Sequence, residues 1–286
     1  MCTLRLGWSS RNAWRLFAAA LPLILTGCGA ATTGFRHPGI EYVHLERAEP
    51  RPLQIHVLKI DLKEKGLTLA VDVAPDPDGE GPAETTLISP LDHAERGEFV
   101  AAVNTNPWSM VPPPPAGEHP RYVADAACDI AGWVVSDGVE RSPQSGLSFW
   151  MGRDGTPHLD NVAPPTTDVQ CAVAGFGRLL RNGEVLPGRS KVRHPRTALG
   201  LDRDARILIL AVVDGRQRGY SEGVSERELA ELMLELGCSE ALNLDGGGSS
   251  VMILRDIGAE ARIANRPSDR RGPRPVPVLF GVRHVR

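Results

Sequence analysis

Cysteine is scarce in this chain, five in 286 residues, and two of them, Cys2 and Cys28, stand in the N-terminal signal-like segment. The other three, Cys128, Cys171 and Cys238, allow one disulfide at most, which excludes a disulfide-stapled scaffold. No cysteine or histidine pair has the spacing of a zinc site, and the eight histidines are scattered. Neither sign of charge is in excess: a formal net charge of −3 gives no reason to expect a nucleic-acid partner. The exception is the basic stretch with Arg266, Arg270, Arg271 and Arg274, which has no interleaved aromatics and reads as a solvated face or the rim of an anionic-substrate site. Internal repeats are missing. Proline-rich stretches at 75–82, 111–120 and 163–165 are surface loops too short to divide the chain into domains.

What is present begins with the N-terminus. Arg5, Arg11 and Arg15 precede an apolar stretch from Leu16 to Leu25, too short to span a membrane as a mature helix, and Leu25-Thr26-Gly27-Cys28 follows. Basic residues, a short apolar run and small residues before a cysteine predict a bacterial lipoprotein signal over 1–27, with acylation at Cys28. Residues 28–40 are then a lipidated tether, and 41–286 a single domain long enough for one well-buried core. A multiply acylated cysteine predicts stable membrane attachment in the cell envelope. Gly29, where an aspartate would favour the inner membrane, favours the outer membrane if the cell is Gram-negative, facing the periplasm or the surface.

Alternating apolar residues predict strands at 54–57 and 67–73, joined as a hairpin through Lys65-Gly66. Ser89-Pro90 opens a short helix toward Arg96, with Ser89 as N-cap and Gly97 beyond its end. Phe99 to Val103 predicts a strand delivering Asn104 to its end, and 133–135, 147–151 and 207–213 add further strands. Asp202 to Ala205 predicts a turn without a functional role. The clearest helix runs from Ser225 to Gly237: Ser225 and Glu228 form a capping box, while Leu229, Leu232, Met233 and Leu236 form one apolar stripe. Strands and helices together predict an α+β domain with a mixed β-sheet and flanking helices.

The run Asn243-Leu244-Asp245-Gly246-Gly247-Gly248-Ser249-Ser250 is the strongest sign of a site. It places a carboxylate at a strand end beside three residues without a Cβ, where backbone amides are open to close approach, and two hydroxyls follow. A hairpin needs only two loop residues, so this loop carries more than a turn requires. It is not a nucleotide P-loop, since it has neither the Gly-Lys-Ser/Thr ending nor a helix after it. Upstream, the strand at 207–213 ends in Asp214-Gly215-Arg216, which brings a second carboxylate and a guanidinium.

Arg196-Thr197-Ala198-Leu199-Gly200, Val213-Asp214-Gly215-Arg216, Gly219-Tyr220-Ser221, Glu228-Leu229-Ala230 and Asn243 to Ser250, taken in this order, resemble the phosphodiester glycosidase family. Weaker similarity extends from Ala101-Ala102-Val103-Asn104 to Asn265-Arg266-Pro267-Ser268-Asp269. One departure stands out: where members commonly have Asn-Gly and a pair of aromatics, this chain has Asn104-Thr105-Asn106-Pro107-Trp108, followed by the proline-rich insert Val111 to Pro115.

The resemblance implies a phosphodiester glycosidase-like fold and a hydrolase that cleaves the glycosidic bond of a sugar 1-phosphodiester, giving free sugar and a phosphomonoester. Its partner would be a glycosyl phosphodiester or phosphate-containing glycan. Such an enzyme must hold phosphate, support oxocarbenium-like charge and activate water. Asp245 and Asp214 are then the catalytic candidates for base, nucleophile or sugar positioning, with the roles unassigned between them. Arg196 and Arg216 suit a two-point grip on phosphate, and the amides of Gly246, Gly247 and Gly248 suit an anion nest. Asn104, Thr197, Asn243, Ser249 and Ser250 complete the expected substrate-binding set, and the strand ends carrying Asn104, Asp214 and Asp245 are expected to converge on one cleft. No cofactor is expected, although two carboxylates beside glycines leave a divalent cation open. The competing readings are a metal-dependent phosphodiesterase and a non-catalytic glycan-binding lipoprotein.

Overall fold

The strand Ile207–Val213 contains no polar residue, the pattern of a strand covered on both faces. It lies inside an eight-stranded sheet, between Leu53–Asp61 and Arg196–Leu201; outside these come Ile40–Arg47 on one side and Glu240–Asn243 on the other. The computed structural model describes residues 29–31, 35–161 and 168–285. The signal segment, Cys28 and the proline stretch at 163–165 lie outside the described residues. None of the described helices is long and apolar enough to cross a membrane.

One face of the large sheet meets two five-stranded sheets. The first is built on Phe99–Asn104, Val278–His284 and Met252–Leu254, the second on Ser148–Gly152 and Val169–Ala174. Leu199, Leu210 and Val212 of the large sheet, Val103 and Phe280 of the first small sheet and Phe149 and Val173 of the second share one core. Phe149 and Phe280 pack edge to face with centroids 5.4 Å apart, which locks the two smaller sheets together. The other face of the large sheet is covered by the helix Glu226–Glu235, through Leu229, Leu232 and Met233. Its N-terminus has the capping box predicted from sequence: Ser225 Oγ accepts from the Glu228 amide and Glu228 accepts from the Ser225 amide. The short helix Pro90–Arg96, capped by Ser89 as expected, lies against the first small sheet. A three-stranded sheet, Thr85–Thr86, Ala127–Ile130 and Trp108–Met110, completes the fold.

This overturns the expected α+β architecture with a mixed sheet and flanking helices. The fold is β-rich and sandwich-like, with two α-helices among the described residues, of seven and ten residues. Every strand pairing described is antiparallel. The physical reason is connectivity: tight turns such as Asp202 to Ala205 return the chain antiparallel, whereas parallel pairing needs a crossover. The hairpin expected across Lys65-Gly66 is also absent. Leu53–Asp61 is paired on both edges, by Ile40–Arg47 and Ile207–Val213, so Leu67–Val73 crosses to the first small sheet and pairs with Val278–His284. Part of the segment read as a tether belongs to the fold: Gly29–Ala31 pairs with Ile40–Arg47, and Phe35, His37 and Ile40 are buried.

Candidate active site

Asn104 is the last residue of an otherwise apolar, fully buried strand, and its amide spans the gap between sheets. Nδ2 donates to Asp245 O at 2.7 Å, while Oδ1 accepts from Thr197 Oγ1 at 2.9 Å and from the Val251 amide at 3.1 Å. The Asp245 amide donates to Thr105 O at 2.7 Å, and the Leu244 amide to Thr197 O at 2.9 Å. Asn104 and Thr197 are thus engaged inside the protein, holding the acidic-glycine loop between the large sheet and the first small one. The altered segment after Asn104 is built in too: Asn106 Nδ2 faces the carbonyls of Ala131, Gly132 and Trp133, and its Oδ1 accepts from the Ala174 amide.

The loop leaves that junction through Asp245, which is half-buried. Burial pushes its carboxyl up to about 6, against the opposing pull of the Ser249 hydroxyl, the Gly246 amide and Arg274. Gly247 takes φ +65°, the left-handed region, and opens a short 3₁₀ turn over Gly247–Ser249. A Cβ on Gly247 would stand 3.2 Å from the Arg216 guanidinium, and one on Gly248 would collide with Arg274 and lie 2.8 Å from Asp269 Oδ2. Two permanent cations therefore flank the glycines. The amides are less free than a nest requires, since the Gly247 amide donates to Pro195 O at 2.9 Å. Ser249 Oγ and Ser250 Oγ are buried with no aligned hydrogen-bond partner, and so is Asn243 Oδ1. Asn243 sits one strand position before the loop, paired with Ala198 and Gly177.

The other expected residues are placed differently. Asp214 is 1% exposed, and its carboxylate is consumed inside the protein. Oδ1 accepts from Asn265 Nδ2 at 2.9 Å, and Oδ2 from the Arg266 amide at 2.9 Å and from Tyr220 Oη at 3.3 Å; His56 Nε2 lies 3.6 Å away. Asn265 also donates to Ser250 O at 3.1 Å, so Asp214 reaches the glycine loop through Asn265 rather than directly. Arg196 is buried, donating to the carbonyls of Val224 and Val192 at 3.3 and 3.2 Å, with Glu226 3.8 Å away. Its guanidinium braces the segment leading to Pro195. Arg216 does face the glycines. It donates to His194 Nδ1 at 3.1 Å, and His194 is held below its usual pKa by burial first and then by Arg216 and Arg196.

The sequence offered Arg274 only within a basic stretch read as a solvated face or the rim of an anionic-substrate site, without its contact at Gly248, and did not place Asp269 beside it or Tyr122 and His194 against the two flanking arginines. Arg274 Nε donates to Asp269 Oδ2 at 2.8 Å, and its guanidinium lies 4.1 Å over the Tyr122 ring. The clustering of arginines between 266 and 274 was the available signal. Among the described residues no group of three or more His, Cys, Asp or Glu is placed to hold a metal ion.

The mouse N-acetylglucosamine-1-phosphodiester α-N-acetylglucosaminidase is 31% identical over 190 residues, 55% of this chain and 35% of that protein. The human protein of the same name is 30% identical over 190 residues, with the same coverage. The chain thus spans about a third of the length of the curated relatives it matches, 35%. Among solved structures, the zebrafish N-acetylglucosamine-1-phosphodiester α-N-acetylglucosaminidase catalytic domain, auto-inhibited by its pro-peptide, superposes with a TM-score of 0.62 at 20% identity, covering 90% of this chain and 87% of that one. A putative exported protein of Burkholderia pseudomallei superposes with a TM-score of 0.56 at 16% identity, covering 81% and 74%. These likenesses show a shared fold. Residues 97–283 match the phosphodiester glycosidase family, and with the site loop and both of its flanking arginines inside that span, the chain belongs to this family.

Proposed function

We propose that the protein hydrolyses the bond between a sugar anomeric carbon and phosphate in a glycosyl phosphodiester, releasing free sugar and a phosphomonoester. The names of the mouse and human relatives make an N-acetylglucosamine 1-phosphodiester the substrate to try first. The observation that carries the reading is the raised carboxyl of Asp245 at the mouth of a glycine turn flanked by Arg216 and Arg274.

In this reading Arg216 and Arg274 hold the phosphate and offset the charge that grows on it as the glycosidic bond lengthens. A phosphate leaves readily, so the demand for a general acid is small and the work of Asp245 is done as a carboxylate: supporting positive charge at the anomeric carbon or taking the proton of the attacking water. Asp269 supplies a second carboxylate across Arg274. Asp214, Asn104, Thr197 and Arg196 act as positioning residues, and the buried Asn243, Ser249 and Ser250 shape the loop from beneath rather than touch the sugar. Acylation at Cys28 would attach the enzyme to the cell envelope; intact mass of the N-terminal peptide tests it.

Product analysis on N-acetylglucosamine-α-1-phospho-ethyl ester decides the reaction class. Free N-acetylglucosamine with ethyl phosphate is expected. N-acetylglucosamine 1-phosphate with ethanol would instead mean cleavage of the phosphate ester, and tight binding without either product would mean a glycan-binding protein.

A further inference from the structure

A cavity of about 630 Å³ opens beside the glycine loop, between residues 119–124 and 269–275. It shares Arg274 and Asp269 with the site just described. Its walls carry three guanidinium groups, Arg121, Arg271 and Arg274, against the single carboxylate of Asp269. Tyr122 forms the floor under Arg274, and its ring stands 5.8 Å from Trp108, whose Nε1 is buried without a partner. Arg121 and Arg271 are exposed and have no acidic partner among the ion pairs of the described residues. One wall continues from the proline-rich insert at 111–115, where the sequence departs from the family pattern.

Geometry assigns the direction. The cation that reaches Gly248 also lines the cavity, so a phosphate held at the glycines has this cavity on one of its sides. The volume falls in the range of sites that enclose a small organic group. The excess of guanidinium selects negative charge, and planar guanidinium groups favour a phosphate or carboxylate held at two oxygens. We propose that this cavity is the subsite for the aglycone, the group attached through the second ester oxygen of the phosphodiester, and that it selects an aglycone bearing its own phosphate or carboxylate. This rests on the glycosidase reading above.

The test uses two esters of the same sugar, N-acetylglucosamine-α-1-phospho-ethyl and its analogue with a phosphate on the far carbon of the ethyl group. The phosphorylated ester is expected to have a kcat/KM at least about tenfold higher, equivalent to one good charge contact. The double variant Arg121→Ala/Arg271→Ala, which changes two exposed side chains outside the phosphate grip, should abolish that preference while leaving the neutral ester unchanged. Equal kcat/KM for the two esters, or an equal loss on both in the variant, overturns the proposal.

Calorimetric binding of ethyl phosphate and of ethylene glycol bisphosphate gives a readout independent of turnover. The bisphosphate should bind about tenfold more tightly to the unaltered protein, and the gap should close in the double variant. If neither ester is hydrolysed but the binding gap is present, the glycosidase reading fails and the aglycone assignment with it, while the cavity's selection of a second phosphate stands. If the esters are hydrolysed without a preference and the gap is absent, the subsite fails and the glycosidase reading stands.

Discussion

Removing the charge of Asp245 without changing its shape separates the cost of that carboxylate from its use. A free aspartate titrates at 3.8, and in the fold burial raises Asp245 to about 6. The folded state therefore binds this proton more tightly than the unfolded chain does. Well below pH 3.8 the group is protonated in both states and burial costs little. As pH climbs from about 4 to 6, the unfolded chain ionises first, and stability falls until the folded carboxyl also ionises. Above that the loss is complete and constant, about 1 to 3 kcal/mol, because each tenfold difference in proton affinity between the two states is worth about 1.4 kcal/mol. Asp245→Asn carries no such penalty. At pH 8 it should melt above the parent protein by roughly 2 to 10 °C, and the gap should close below about pH 3. The same substitution should lower kcat/KM on a sugar 1-phosphodiester by about a hundredfold or more, and the rise of kcat/KM with pH near 6 should vanish from its profile. Melting curves at about pH 3 and pH 8, paired with pH–rate profiles, check both halves. A variant that keeps its turnover refutes the catalytic role, and a melting gap of equal size at both pH values refutes the buried charge as its cause.

Two further substitutions probe the cations on either side of the loop. Gly248→Ala puts a methyl where Arg274 now lies, and because the obstruction is the mobile end of a side chain the fold should change by less than about 1 kcal/mol, while KM rises about tenfold from the displaced cation; an unchanged KM would remove Arg274 from the phosphate grip. Arg196→Lys should destabilise the protein by about 1 to 2 kcal/mol, read as a shift in denaturant midpoint, because one ammonium does not reproduce a planar fork that reaches the carbonyls of Val192 and Val224 together. Lost turnover with an unchanged midpoint would place that guanidinium on the substrate instead.

The parts of this molecule legible in the sequence are those whose signal is local. Ser225, Glu228 and the leucine stripe after them define a helix without reference to anything outside it, and the structure has that helix within a residue or two of its expected ends. Ser89, Pro90 and Gly97 do the same for the shorter helix. The fold class was not legible, because a strand covered on both faces, such as Ile207–Val213, shows neither alternation nor a preferred neighbour. The two well-marked helices then weigh more in a sequence reading than they do in the fold. Asp214 is conspicuous in the sequence as the carboxylate that ends this apolar strand, but its direction depends on which face of the strand meets the inter-sheet core. Val213 packs toward the helix side, so the next residue points into the gap between the sheets, where Asn265 meets it.

The contact between Arg274 and the glycine loop was hidden for a different reason. Arg274 follows the glycine loop by more than twenty residues, on an irregular segment without periodicity, and only the folded chain places it beside Gly248. Asn104 shows how the legible and illegible parts depend on each other. As the single polar residue of an apolar strand it is conspicuous, and its position at the strand end suggests a ligand contact. Instead its three hydrogen bonds join two sheets to the backbone of Asp245. Burying an amide is tolerable only when it is satisfied, and satisfying this one fixes the position of the carboxylate. The packing of the sheets and the placement of the charge are therefore the same set of contacts, so a substitution that loosens the sheets at Asn104 must also move Asp245.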